Sequence, residues 1–304
     1  MAALRAKGRM AVVAALLLSS AVAHARPAPD QPMDDRILHR QDLAYRFTTQ
    51  DVDSADGQRH YRLWIAMPRR PAPEQGFPVA WLLDGNAALG ALNADLLQQL
   101  AQGAAPVLVA VGSPTHDRID RAGRTLDYTP RLGHAPDQQD PLTGLPSGGA
   151  DAFLDVLETR IKPAVAGHVP LDARRQTLWG HSYGGLLVLH ALFTRPHSFQ
   201  TFAAASPSLW WGQGAVLDER QGLEQRLVGH RATVLLMRGG QEPAAPPRMK
   251  LAPQAADQAS RSLYKSFQGV TNLDTYYRVF PDLNHGPMLA ASLRYTLLWL
   301  NRQP

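Results

Sequence analysis

Between residues 43 and 67 apolar and polar side chains tend to alternate. Leu43–Gln50 and His60–Met67 carry the pattern, with Asp56-Gly57 between them. A period of two interrupted by a turn dipeptide predicts a β-hairpin with one face toward solvent. Farther along, the alternation gives way to short apolar runs at Val79–Leu83, Val107–Val111 and Thr177–Trp179. Runs of that kind suit parallel strands covered on both faces. Thr201–Ala205, Thr233–Met237 and Thr275–Phe280 read as three further strands. Helical stretches are predicted at Ala87–Leu100, Ala150–Val165 and Leu186–Phe193, with an amphipathic closing helix at Leu289–Asn301. Strand and helix thus alternate. The economical fold is α/β: a doubly wound, predominantly parallel sheet with an antiparallel hairpin at its N-terminal edge.

One segment breaks the rhythm. Ser113–Gly149 is long, polar and rich in Pro and Gly, and it follows a strand on the side where such sheets bind ligands. Loops of this length inside a compact domain are usually functional or disordered, and of the two a substrate-covering loop is the favoured expectation for 113–149. No internal repeat, low-complexity tract or linker divides the remainder. Residues 26–304 are therefore expected to form a single domain, with 26–36 as a Pro-rich lead-in.

The first 25 residues have a different character. Arg5, Lys7 and Arg9 precede an apolar stretch from Ala11 to Ala23, and Ala23-His24-Ala25 has the Ala-x-Ala form of a cleavage site. This pattern predicts an export signal cut after Ala25 and a periplasmic protein; an uncleaved N-terminal anchor is the alternative. Loss of the leader takes Lys+Arg from 31 to 28 against 26 acids, so the net charge drops from +5 to about +2. Such a charge gives no case for nucleic-acid binding. There is no cysteine, which excludes disulfides, thiolate metal sites, a Cys nucleophile and a lipid anchor through cysteine.

The chemistry centres on Gly180-His181-Ser182-Tyr183-Gly184, placed directly between the run Gln176–Trp179 and the apolar Leu186–Leu189. A Gly-flanked serine between strand and helix is the context of a nucleophile elbow, whose strained turn holds the hydroxyl clear of the sheet. Gly180 and Gly184 are the small neighbours expected to leave room for it. A serine needs a base, and in the α/β-hydrolase order the acid and then the histidine follow the nucleophile. Of 11 histidines, His285 alone stands in a loop after the last strand and before the final helix, which makes it the candidate base. Glu242, after Thr233–Met237, is the candidate carboxylate that orients the imidazole. Asp218 and Asp282 are rivals, and a Ser–His dyad without a strong acid stays open. The oxyanion hole is expected from the Tyr183 N–H together with that of Gly85 or Asn86, after the strand Val79–Leu83. Asp84 is expected to serve the turn rather than the acid chemistry. Trp210-Trp211, just past Ser206-Pro207-Ser208, is expected to wall the pocket. No His-Glu-x-x-His, EF-hand or Walker A pattern occurs.

Several segments together resemble a known family. They are Trp81-Leu82-Leu83-Asp84-Gly85-Asn86-Ala87, Arg124-Thr125-Leu126-Asp127-Tyr128-Thr129-Pro130, Gly148–Leu154, the elbow with Gly185, Ser206–Trp211, and Phe280–Met288. They are similar to the ferric-siderophore trilactone esterases, the periplasmic enterobactin-hydrolysing kind within a wider esterase family. The likeness runs from about residue 40 to residue 300. It implies an α/β-hydrolase fold and hydrolysis of the triserine backbone of a catecholate siderophore, a small-molecule substrate. Iron would enter only as part of that substrate, with no other cofactor. It also implies Ser182 as nucleophile, His285 as base and Arg124 as a substrate contact. Arg side chains suit a tris-catecholate trianion, since they pair with its charge and stack on its rings. A carboxylesterase acting on another acyl ester, feruloyl or short-chain, is the runner-up. A siderophore-binding protein without catalysis is a third reading. Association with an uptake apparatus is not legible.

Overall fold

A computed structural model describes residues 31–133, 137–243 and 255–303. The leader expected at 1–25 and most of the lead-in lie outside the described residues. Eight strands form one sheet in the order β1-β2-β4-β3-β5-β6-β7-β8. The hairpin forms as expected: β1 (Tyr45–Asp53) pairs antiparallel with β2 (His60–Pro68), and Asp53 stands opposite His60. β2 pairs antiparallel with β4 (Val107–Gly112). The remaining pairs are all parallel and run through β3 (Phe77–Leu82), β5 (Leu171–His181), β6 (Thr201–Ala205), β7 (Ala232–Gly239) and β8 (Leu273–Phe280).

The sheet separates two apolar layers, and the pleat decides which side chain joins which. Leu63, Ile65 and Met67 of β2 enter one layer, whereas Trp64 and Ala66 enter the other. β6 divides in the same way, with Phe202 and Ala204 on one face and Ala203 and Ala205 on the opposite one. Burial on both faces explains why the central strands read as continuous apolar runs. The helices follow from it: each face needs a cover of its own.

The second face is covered by α1 (Gly85–Leu89), α2 (Ala94–Ala101) and α10 (Met288–Leu300). The single helix expected over Ala87–Leu100 is thus two, divided at Gly90–Asn93. Asn93 caps the second by accepting from the Leu96 N–H at 2.9 Å, a local bond that competes with helix continuation. On the other face lie α4 (Ala150–Val156), α5 (Lys162–Ala166) and α6 (Tyr183–Thr194). A π turn at Leu157–Ile161 joins α4 to α5, so the stretch predicted at Ala150–Val165 is helical throughout though not uniformly α. Two one-turn helices, α7 (Ala215–Asp218) and α8 (Leu223–Arg226), link β6 to β7. α9 (Ala255–Phe267), which the sequence reading left unassigned, supplies the crossover from β7 to β8 and buries Leu263 and Phe267.

The segment 113–149 carries more internal structure than a bare loop. It contains α3 (Arg121–Asp127), and the buried Asp127 is tied to the β2 end of the sheet by Arg59 Nη1 at 2.5 Å and the Tyr61 hydroxyl at 2.9 Å. Gln31–Met33 run beside it, with the Met33 N–H donating to the His116 carbonyl and the Arg118 N–H to the Gln31 carbonyl, both at 2.8 Å. Its described residues form an anchored layer packed over the strand ends.

Candidate active site

The elbow has the geometry its sequence predicts. Ser182 directly follows β5 with φ 62° and ψ −115°, a conformation that costs a non-glycine residue on the order of 1–3 kcal/mol. Three backbone bonds hold it there: its N–H donates to Ala205 O at 2.9 Å, and its carbonyl accepts from Leu186 at 2.9 Å and Ser208 at 3.2 Å. The glycine requirement falls on Gly180, as expected, but on Gly185 instead of Gly184. A Cβ on Gly180 would lie 2.4 Å from the Gly184 carbonyl, and one on Gly185 would lie 2.8 Å from Ala205 O. A Cβ on Gly184 would meet nothing closer than 3.5 Å, so Gly185 rather than Gly184 is the second position where space forbids a side chain.

The base is brought to the elbow by the loops after β7 and β8. These loops are joined through their backbones: Gly240 N–H donates to Phe280 O at 2.7 Å and Gln241 N–H to Leu283 O at 3.0 Å. The pairing places Glu242 Oε2 3.4 Å from His285 Nδ1. Glu242 has an 8 % exposed side chain, and its Oε1 accepts from Ser206 Oγ at 2.5 Å and Gly239 N–H at 2.8 Å. Burial alone would raise its pKa. The contact with His285, reinforced by Ser206 and Gly239, outweighs burial and holds it below the usual carboxylate value. Asp218 and Asp282, the rival acids, are both exposed.

The His285 ring lies 4.6 Å from that of His181, centroid to centroid, which sets it beside the elbow. The contact made by Ser182 Oγ is with Ser208 Oγ at 3.4 Å, and no Ser182–His285 hydrogen bond forms. Catalytic hydrogen bonds of this type commonly tighten only around a substrate. Ser206 and Ser208 are side chains that sequence reasoning treated as mere flanks of the tryptophans. Ser206 has φ 44° and its N–H donates to Met237 O, so its hydroxyl turns toward Glu242. The signal was the Ser-Pro-Ser at a strand end, which alone names no partner.

On the oxyanion side, Gly85 and Asn86 open α1 and Tyr183 opens α6. First-turn N–H groups have no acceptor within their own helix and so point outward as free donors. The two termini are adjacent, because Asp84 Oδ2 lies 3.5 Å from where a Gly184 Cβ would be. Asn86 also staples the neighbouring loop: its Oδ1 accepts from Ser113 N–H at 2.9 Å, and its Nδ2 donates to Ser113 O at 3.2 Å and Thr115 O at 3.0 Å. Asp84 is in the turn, as expected, with φ 51° and ψ 50°.

One sequence expectation is corrected, and a second residue gains a partner the sequence does not show. Trp211 does not wall a pocket: it is fully buried, and its indole N–H donates to Asp140 Oδ2 at 2.8 Å. Trp210 is half-buried, 6.0 Å from the Tyr183 ring, and so remains at the rim. Arg124 reaches the site, but its charge is already matched. Nε and Nη2 donate to Asp84 Oδ1 and Oδ2 at 2.8 and 3.0 Å, and the side chain is 16 % exposed. The insert sequence shows the arginine; the acid it pairs with lies 40 residues away in the chain.

A family model described as "Putative esterase" matches residues 54–285. The chain is 36 % identical over 293 residues to the apo-salmochelin esterase of Escherichia coli O6:H1, covering 93 % of this chain and 87 % of that one. It is 34 % identical over 175 residues to the ferri-bacillibactin esterase BesA of Bacillus subtilis, covering 55 % of this chain and 60 % of the relative. Among solved structures, the enterobactin hydrolase IroE in complex with DFP superposes with a TM-score of 0.67 at 34 % identity, over 88 % of this chain and all of that one.

Proposed function

This chain belongs to the family described as "Putative esterase", and from that premise we propose that it is a serine carboxylic-ester hydrolase cleaving the ester backbone of a siderophore. The observation that carries the reading is the convergence of the Ser182 elbow, the His285 ring and the buried Glu242 carboxylate at the ends of β5, β7 and β8. Relatives of similar length and fold that act on enterobactin- and salmochelin-type siderophores support the substrate class.

Ser182 Oγ attacks an ester carbonyl while His285 takes its proton. Glu242 holds the imidazole in one tautomer and stabilises the imidazolium that forms. The developing oxyanion accepts from the Tyr183 N–H and that of Gly85 or Asn86, each such donor contributing about 3 kcal/mol. The alcohol leaves with the proton from His285. Water, deprotonated by the same ring, then releases the acid from Ser182. No resident cofactor is needed for these steps, and iron enters only as part of the substrate.

A catecholate trilactone is the finer reading. A cleft of about 270 Å³ lies between α1 and the start of α10, lined by Asp34, Asn86, Ala87, Arg118 and Leu289 among others. Arg118 Nη1 is buried without a hydrogen-bond partner among the described residues, and desolvation lowers the guanidinium pKa. A cation in that condition favours an anionic ligand. Mass spectrometry of products from iron-loaded and iron-free cyclic triserine catecholate, with p-nitrophenyl butyrate in parallel, tests the assignment. Stepwise opening of the trilactone is expected; cleavage of the small ester alone would leave a general carboxylesterase. Labelling of Ser182 by a fluorophosphonate probe, with none in Ser182→Ala, separates an esterase from a binding protein. The basic, apolar and Ala-x-Ala pattern of residues 1–25 supports export to the periplasm. Cell fractionation, with a mature N-terminus at Arg26, is the corresponding test.

A further inference from the structure

Resting on the oxyanion hole read above, the geometry points to Arg124 as a positioning residue that clamps the two halves of that hole together, rather than a cation offered to the substrate. One half is the turn Asp84-Gly85-Asn86 after β3; the other is Tyr183 at the start of α6. They belong to different elements, so their N–H groups converge only if something fixes one turn against the other. Arg124 touches both. Its Nε and Nη2 form a bidentate pair with the Asp84 carboxylate at 2.8 and 3.0 Å. The same guanidinium lies 5.1 Å from the centroid of the Tyr183 ring and 5.8 Å from that of Tyr128. The Tyr128 hydroxyl accepts from the Asp84 backbone N–H at 3.0 Å. Asp140 fixes the far end of the clamp by accepting from the Tyr183 hydroxyl at 2.7 Å.

The arrangement suits a positioning role on three counts. A planar bidentate fork sets orientation as well as distance, which a point charge does not. Asp84 is a non-glycine residue in the left-handed region at φ 51°, so the turn preceding Gly85 needs external support to persist. The carboxylate is 5 % exposed and the guanidinium 16 %. With both carboxylate oxygens engaged, the pair is close to neutral as seen by an incoming anion. A preorganised donor acts on the transition state, so loosening it lowers kcat rather than raising KM.

The test uses Arg124→Lys and Asp84→Asn in the full chain, with kcat and KM measured on p-nitrophenyl butyrate and on the iron-loaded triserine catecholate. A clamp predicts that each variant loses kcat on both substrates by about tenfold to a hundredfold, a fraction of the loss of a whole oxyanion donor. KM stays within about threefold on each, and affinity for a boronic-acid mimic of the tetrahedral intermediate falls with kcat. A substrate contact predicts otherwise: Arg124→Lys raises KM for the anionic substrate only, and Asp84→Asn, by freeing the guanidinium, lowers it. Either of those results overturns the clamp. Asp84→Asn keeps the experiment decisive if Arg124→Lys does not fold: a clamp predicts a lower kcat with KM little changed, and a substrate contact predicts a lower KM for the anionic substrate. Ser182→Ala is run alongside. Its retained activity would overturn the proposed function and the clamp with it, whereas an inactive Ser182→Ala with the KM-only pattern overturns the clamp alone.

Discussion

His285 and His181 pack with tilted rings, centroids 4.6 Å apart, so the candidate base lies against the residue that immediately precedes the candidate nucleophile. Burial first, and then the nearby charges of His285 and Arg124, push the His181 pKa well below the usual histidine value. His181 therefore stays neutral beside the candidate base. His285→Phe should abolish ester turnover with the fold retained. His181→Phe, which puts a larger ring at a buried position, should cost about 1–3 kcal/mol of stability and leave measurable turnover. Thermal melts and steady-state rates on the same preparations check both.

Glu242→Gln should reduce kcat by about a hundredfold or more, since an amide can present the wrong hydrogen-bonding partner to His285 Nδ1. The looseness of that contact, 3.4 Å, argues against the larger losses seen for tightly bonded triads. Because the Glu242 pKa is held below its ordinary value, its ionised form contributes stability above that ordinary value and loses it as pH falls through the depressed one. Melting temperature followed from pH 7 downward should show a steeper acid limb in the wild type than in Glu242→Gln.

The elbow glycines should respond unequally to alanine. Gly180→Ala and Gly185→Ala place a methyl against backbone at 2.4 and 2.8 Å, and each should cost about 1–3 kcal/mol or prevent folding. Gly184→Ala meets only ordinary contacts at 3.5 Å and should be neutral or slightly stabilising, since alanine is the better helix former. Urea midpoints of the three variants decide it.

His190, buried in α6, lies between two acids: its Nδ1 is 2.8 Å from Glu219, and its Nε2 is 3.4 Å from Asp151 without hydrogen-bond geometry. Burial opposes its charge, but the two carboxylates prevail and raise its pKa to about 9. The sign follows from linkage. The stabilisation is fully present below the unfolded value near 6.5 and is lost as pH rises through about 9, amounting to about 3 kcal/mol at most. Stability of the wild type should therefore fall between pH 7 and 10, and His190→Gln should flatten that slope. A wild-type curve without such a decline would place the ring in its neutral form.

Much of the framework was legible before any coordinates. The alternation in residues 43–67, broken at Asp56-Gly57, marks a hairpin, although only its outer strand β1 keeps a half-solvated face while Leu63–Met67 of β2 are buried; unbroken apolar runs mark strands covered twice. The elbow and His285 could be read because each is a local pattern in a fixed order along the chain. What failed to show was pairing across the chain. The sequence displays Arg124 and Asp84, Trp211 and Asp140, or Ser206 and Glu242, without stating that they meet. Arg124 looked like a cation awaiting an anion, and Trp211 like a wall. Only folding revealed that each already had a partner. Gly184 and Gly185 are likewise indistinguishable until the approach of Ala205 and Pro207 gives one of them no room. Local propensity and hydrophobic period are written residue by residue, so the chain alone determined its elements and the order of its chemistry. Which charges are neutralised, and where space runs out, depends on atoms contributed by distant segments; that was decided by tertiary packing.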